Sequence, residues 1–155
     1  MELSSVILIS LALTAQAAPA KKPKPELVVK ALEIFEACDH WYGEMGDQSD
    51  DRNSEILAGI AHDCPEAKTA VSQALKAHPN DPDLADAALS LAENSHYDLT
   101  KTERTRLCRL SLPSYRRHFA KTKNPDWSFS NNCPEQAKSL YGKRALKLET
   151  NDDGE

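Results

Sequence analysis

Apolar residues recur every three or four positions along most of this chain, which is the spacing of one face of an α-helix. The first such run predicts one buried face made by Val28, Ala31, Leu32, Phe35, Cys38 and Tyr42. No window alternates apolar and polar residues for long, glycines are few, and alanines and leucines are many. The pattern predicts an all-α protein, a compact bundle of about six or seven short helices with no sheet.

Prolines and capping residues divide this pattern into segments. They predict helices over residues 26–43, 51–62, 65–77, 82–94, 101–112, 114–121 and 134–148. Proline suits the first turn of a helix, so a capping residue followed by Pro65, Pro82 or Pro134 indicates a helix start. Pro113 is expected to end a helix.

Three further local features follow from the same pattern. Thr100 and Glu103 have the spacing of a capping box. Ile56, Leu57 and Ile60 are expected to face inward. Residues 122–131 are expected to be irregular, anchored by Trp127 and Phe129.

Two stretches, 63–68 and 132–138, are near copies, each with a capping residue, Cys, Pro and Glu in a row. Each has a partner cysteine 25 or 26 residues upstream, so the spacing favours the disulfides Cys38–Cys64 and Cys108–Cys133. Each bond would contribute roughly 3.5 kcal/mol by constraining the unfolded chain. The similarity has two explanations: a duplicated unit over 26–97 and 98–148, or the same helix-start chemistry used twice.

The N-terminus has the pattern of an export signal. Residues 6–15 are apolar but too short to span a bilayer, and Ala15-Gln16-Ala17 fits a cleavage site after Ala17. Glu2 departs from the pattern, and an uncleaved anchor or an exposed hydrophobic tail is the alternative. We expect a signal peptide over 1–17, a basic proline-rich arm over 18–25, one domain over 26–148 and an acidic flexible tail over 149–155.

An even number of cysteines in an exported chain favours disulfides and a periplasmic or extracellular location. No segment after the signal is long and apolar enough for a transmembrane helix.

The net charge of −5 hides a division between the halves. Residues 26–97 contain 15 acidic and 4 basic residues, a net of −11, and residues 98–147 contain 4 acidic and 12 basic residues, a net of +8.

The basic half predicts a surface for an anionic partner that includes Arg104, Arg109, Arg116 and Arg117. The partner would be an acidic protein or an anionic envelope component, such as lipid headgroups or a glycan polymer. No nucleic-acid motif is present. The alternative is that the two halves attract each other or are simply solvated.

The densest polar stretch predicts a second candidate surface at His40, Trp41, Glu44 and Asp47. His40 and Glu44 are four residues apart and share a helix face, so they could bind a metal or relay a proton. The stretch lacks the H-E-x-x-H pattern, and a capped helix end with an aromatic contact explains it better. His62 beside Asp63 is equally weak as a general-base pair, and residues 47–53 fail the EF-hand pattern. We therefore predict no catalytic residue, metal ligand or cofactor.

These features favour a small exported non-enzymatic binding protein, such as an inhibitor, an immunity-type protein or an accessory protein. One alternative is a metal-dependent or hydrolytic enzyme centred on His40 and Glu44. Another is a structural envelope component without a dedicated ligand.

Overall fold

The computed structural model describes residues 23–46, 49–94 and 96–142. Within these ranges the chain forms six helices and no strand: α1 (Glu26–Gly43), α2 (Asp50–Ala77), α3 (Pro82–Glu93), α4 (Lys101–Thr122), α5 (Trp127–Asn132) and α6 (Pro134–Tyr141). The predicted all-α bundle with two disulfides is confirmed. The predicted signal segment 1–17, most of the arm 18–25 and the tail 149–155 lie outside the described residues.

Helices α1 and α2 form an antiparallel pair. Leu27 and Ile34 of α1 line one groove with Ala70 and Gln73 near the end of α2, whereas Trp41, further along α1, contacts the middle of α2. The disulfide Cys38–Cys64 joins the two helices where both cysteines are buried. The two helices are therefore joined by a disulfide as well as by packed apolar side chains.

Helix α3 lies at the centre of the bundle, in contact with α1, α2, α4 and α5. Half of its twelve residues are buried: Leu84, Ala85, Ala87, Ala88, Leu89 and Leu91. A helix that is apolar over most of its surface is buried on several sides, and its alanines allow close approach of the neighbouring helices. Asp81 caps its N-terminus by accepting hydrogen bonds from the amides of Asp83 and Leu84, both at 3.0 Å.

The last three helices meet around a cluster of aromatic rings. Tyr115 stacks on Phe129 with ring centroids 4.1 Å apart, and Phe119 packs edge-on against Tyr141 at 4.9 Å. The disulfide Cys108–Cys133 ties α4 to the start of α6. The predicted capping box of Thr100 and the predicted helix start at Pro134 are both confirmed.

The prediction that Pro65 starts a helix is wrong, because α2 continues through Pro65 from Asp50 to Ala77. An interior proline costs a helix about 3 kcal/mol. Buried residues on both sides of Pro65 offset this cost, since burying one large apolar side chain stabilises a protein by about 1.5–3 kcal/mol. Ile56 is buried before the proline, and Val71 and Leu75 are buried after it.

Pro113 likewise does not end a helix, and α4 runs on to Thr122. Pro113 is exposed, while Leu107 and Ser111 before it and Tyr115 after it face the bundle. As at Pro65, the burial of residues before and after the proline stabilises a continuous helix, although proline itself disfavours one.

Three smaller predictions also need correction. Residues 127–132 are helical, because the Asp126 carboxylate accepts a hydrogen bond from the Phe129 amide at 2.8 Å and caps α5. Phe129 is buried as expected, but Trp127 and Leu57 are each 60% exposed. The predicted extension of the last helix to residue 148 lies outside the described residues.

Candidate functional site

Trp41, at the end of α1, is held against the middle of α2. Its indole Nε1 donates a hydrogen bond of 2.6 Å to Oδ2 of Asp63. Gly59, one turn earlier on α2, leaves room for the ring, since a Cβ there would lie 2.7 Å from Cζ2 of Trp41. The Arg52 guanidinium stands 6.0 Å from the ring centroid, within cation–π range. Trp41 is therefore a half-buried packing residue with its one polar atom satisfied.

Glu44 follows α1 directly, and its carboxylate contacts two side chains, Arg52 and His40. Nη2 of Arg52 donates to Oε2 of Glu44, and Nε2 of His40 lies 3.3 Å from Oε1. Arg52 also reaches Glu55 at 2.6 Å. Arg52 holds the pKa of the Glu44 carboxyl below its usual range, because the hydrogen bond and the charge both favour the ionised form. This carboxylate is therefore engaged in an ion pair between the end of α1 and α2.

His62 and Asp63 contact each other although they are adjacent in sequence, with Nδ1 of His62 2.6 Å from Oδ1 of Asp63. The hydrogen bond to Asp63 raises the pKa of His62, and the bonds from His62 and Trp41 lower the pKa of Asp63. The His62 side chain is 83% exposed. In a water-exposed setting such an ion pair is worth little, and it is not the buried arrangement that tunes a catalytic base.

The structure thus brings His40, Trp41 and Glu44 together around the end of α1, while the fourth predicted member, Asp47, lies outside the described residues. Across ranges 23–46, 49–94 and 96–142, no group of three or more His, Cys, Asp or Glu side chains is placed to hold a metal ion. The cluster joins the end of α1 to α2.

Four arginines of α4 share one solvent-facing side, which we call the arginine face: Arg106, Arg109, Arg116 and Arg117. At 100° per residue they lie within about 100° of the helix circumference. All four are exposed. Arg106 donates to the Pro79 carbonyl and Arg117 to the Ser114 hydroxyl, and none of the four forms an ion pair with another described residue.

Arg104 belongs to a different environment. Its Nη1 donates a hydrogen bond of 2.7 Å to Oδ1 of Asn132, which is buried. Nδ2 of Asn132 in turn donates to Glu93 at 3.2 Å, and Ser128 donates to the same carboxylate. These bonds connect α3, α4 and α5 beside the second disulfide, so Arg104 has an internal role that the other predicted arginines lack.

Asp86 and Tyr115 form a second internal polar contact, between α3 and α4, in which the Tyr115 hydroxyl donates to Oδ1 of Asp86. Burial raises the pKa of Asp86 to about 6, and the nearby carboxylates of Asp126, Asp83 and Asp39 act in the same direction. The Tyr115 pKa is raised as well, mainly by burial. The contact lies inside the packed bundle. Because its pKa is raised to about 6, the Asp86 carboxyl changes protonation state close to neutral pH, and this change affects stability.

Sequence reasoning missed Gly59, Arg52 and Asp63 as partners of Trp41. An isolated glycine inside a helical pattern often marks a close approach of another part of the chain. Gly59 is therefore the one residue whose position in the sequence indicated this contact. Nothing local indicated which aromatic ring it accommodates, because Trp41 is far away in sequence.

None of the helices in the described ranges is both long enough and apolar enough to cross a lipid bilayer. The two disulfides indicate an oxidising, exported environment. No protein-family model, curated protein or solved structure matches the chain.

Proposed function

We propose that this chain is a small exported binding protein, without enzymatic activity, that binds an anionic macromolecule through the arginine face of α4. The proposal includes cleavage of a signal peptide near Ala17 and a periplasmic or extracellular location. The partner would be an acidic protein or an anionic envelope component.

The observation that carries the proposal is the exposure of four arginines on one helix face, none of which forms an ion pair with a carboxylate of the described residues. Residues 98–147 carry a net charge of +8, although the whole chain is acidic. Arginine forms bidentate hydrogen bonds with carboxylates, phosphates and sulfates, and several such contacts in a row bind a polyanion in a salt-sensitive way. A rigid helix keeps the four side chains in one stripe about 17 Å long.

Binding of defined anionic probes tests the proposal. Polyglutamate, dextran sulfate and vesicles with and without anionic lipid would be titrated into the disulfide-bonded chain at about 20 mM and about 500 mM NaCl. We expect binding at low salt that weakens strongly at high salt. The probe that binds best separates a protein-like, a polymer and a lipid partner.

Two variants locate the binding surface. Arg109→Glu combined with Arg116→Glu should abolish probe binding, whereas Lys68→Glu combined with Lys138→Glu, which makes the same change in net charge at exposed lysines of α2 and α6, should have a small effect. If both variants lost probe binding equally, net charge alone would explain the loss. The assignment of the binding surface to α4 would then be overturned. Absence of binding to every probe would leave the structural envelope component as the better hypothesis.

The enzyme hypothesis at His40 and Glu44 has weaker support, because Arg52 and His40 both engage the Glu44 carboxylate. Elemental analysis of protein purified without chelators tests it directly. A stoichiometric metal that is lost in His40→Ala would favour the enzyme over the binding protein.

A further inference from the structure

Helix α1 presents a stripe of the opposite charge to the arginine face. Glu26, Glu33 and Glu36, which we call the acidic face, are exposed and lie within about 80° of the helix circumference. None of the three forms an ion pair with another described residue. Among the described residues, therefore, no ion pair involves either charged stripe, and none connects α1 to α4.

The glutamates of the acidic face have the same separations along the sequence as three arginines of the arginine face, counted in the opposite direction. The acidic residues are separated by seven and then three positions, from Glu26 to Glu33 to Glu36. The basic residues show seven and then three in reverse, from Arg116 to Arg109 to Arg106. Glu26 to Glu36 and Arg116 to Arg106 each span about 15 Å, at 1.5 Å per residue, and Arg117 has no acidic counterpart in this match. In an antiparallel helix pair, one register thus places every carboxylate level with one guanidinium.

The same register aligns the exposed apolar residues of the two stripes. Val29 lies among the glutamates and is 40% exposed, and Pro113 lies among the arginines and is also exposed. The register that pairs Glu33 with Arg109 places Val29 opposite Pro113. A small apolar centre with a charged rim is the usual organisation of a protein–protein contact.

We propose that the arginine face of one copy of this chain binds the acidic face of a second copy, with α1 and α4 antiparallel and Glu26, Glu33 and Glu36 opposite Arg116, Arg109 and Arg106. The contact is head-to-tail, so two copies either pair reciprocally or add further copies in a row. The acidic face then occupies the surface that the proposed anionic partner would use. The inference shares the arginine face with the proposed function but needs no external partner.

Sedimentation velocity of the disulfide-bonded chain measures this association at about 20 mM and about 500 mM NaCl, because exposed charge pairs are screened by salt. We expect self-association at low salt with a dissociation constant that rises at least about tenfold at high salt. Glu33→Arg alone and Arg109→Glu alone should each weaken it by about tenfold or more, since each places like charges opposite each other. A chain that is monomeric at low salt up to about 500 µM would overturn the proposal.

The register is tested by two double variants with identical net charge. Glu33→Arg with Arg109→Glu exchanges the charges of one pair and should restore association. Glu33→Arg with Arg116→Glu leaves two like-charge pairs and should not. Equal behaviour of the two double variants would overturn the proposed docking.

The same variants separate this inference from the proposed function. Glu33→Arg should retain binding of dextran sulfate, because it leaves the arginine face unchanged. Probe binding without self-association would contradict only the docking of two copies, and self-association without probe binding would contradict only the external partner.

Discussion

The indole ring of Trp41 occupies the space beside Gly59 in which any other residue would place its Cβ. Glycine inside a helix costs about 1 kcal/mol relative to alanine. At this position the cost is offset by the close approach of α1 and α2 and by the hydrogen bond from Trp41 to Asp63. The packing of one aromatic ring thus explains both an unfavourable glycine and the position of the Asp63 carboxylate.

Gly59→Ala should therefore destabilise the protein, although alanine is the better helix former. Overpacking against a rigid ring costs about 1–3 kcal/mol, which exceeds the gain in helix propensity of about 1 kcal/mol. We expect a net loss of about 1 kcal/mol in the free energy of unfolding, measured by urea denaturation followed by circular dichroism.

Two comparisons test this explanation. Gly43→Ala, near the same helix pair but with no atom within 4 Å of its Cβ, should change stability by less than about 0.5 kcal/mol. In a Trp41→Ala background, Gly59→Ala should become neutral or stabilising because the overlap is gone. A Gly59→Ala penalty that persists without the ring would contradict the explanation.

The helices and their caps were largely predictable because they depend on neighbouring residues. Asp81 before Pro82, and Thr100 with Glu103, each satisfy backbone donors within one turn. The continuity of α2 through Pro65 was not predictable in this way. Proline acts locally against the helix, and the packing that overrides it comes from residues on other helices.

The candidate surfaces were predictable only in part. Arg104 and Arg109 are two arginines of one helix, but five residues place them about 140° apart. One meets Asn132 inside the bundle and the other faces solvent. Composition and charge identified the basic half, but only the positions of α5 and α6 decide which of its arginines are exposed.

Burial of the Asp86 carboxyl should make stability depend on pH, because burial raises its folded pKa more than the hydrogen bond from Tyr115 lowers it. The folded pKa of Asp86 is about 6 and its ordinary value is 3.8, so the folded state holds the proton more tightly. The contribution of Asp86 to stability is complete below about pH 4 and is lost as the pH rises through about 6. Ionised Asp86 then costs on the order of 2 kcal/mol at neutral pH.

Asp86→Asn removes this titration while its amide oxygen can still accept the Tyr115 hydrogen bond. The variant should be more stable than the parent at pH 7 by on the order of 2 kcal/mol, and the difference should vanish near pH 4. Urea denaturation of both proteins across this range measures the difference, and a difference that does not change with pH would contradict the prediction.

The two disulfides should be formed and inaccessible in the folded protein, because all four cysteines are buried. Non-reducing peptide mapping should recover only Cys38–Cys64 and Cys108–Cys133, and mild reductant should act only after urea is added. Removing either bond by double alanine substitution should lower stability by roughly 3.5 kcal/mol, similarly for both because the loops are of nearly equal length. Recovery of a peptide joining Cys38 to Cys133 would contradict this architecture.

Arg104 and Arg109 should respond in opposite ways to the same substitution. Arg104→Ala leaves the buried Oδ1 of Asn132 without this donor and should cost about 1–3 kcal/mol of stability. Its effect on dextran sulfate binding should be small, because the side chain faces α5. Arg109→Ala should leave stability within about 0.5 kcal/mol and weaken binding of the probe. The two variants lose the same charge from the same helix, so only the side on which each arginine lies distinguishes them. If both weakened binding equally while stability stayed unchanged, the division between an internal arginine and an exposed arginine face would be wrong.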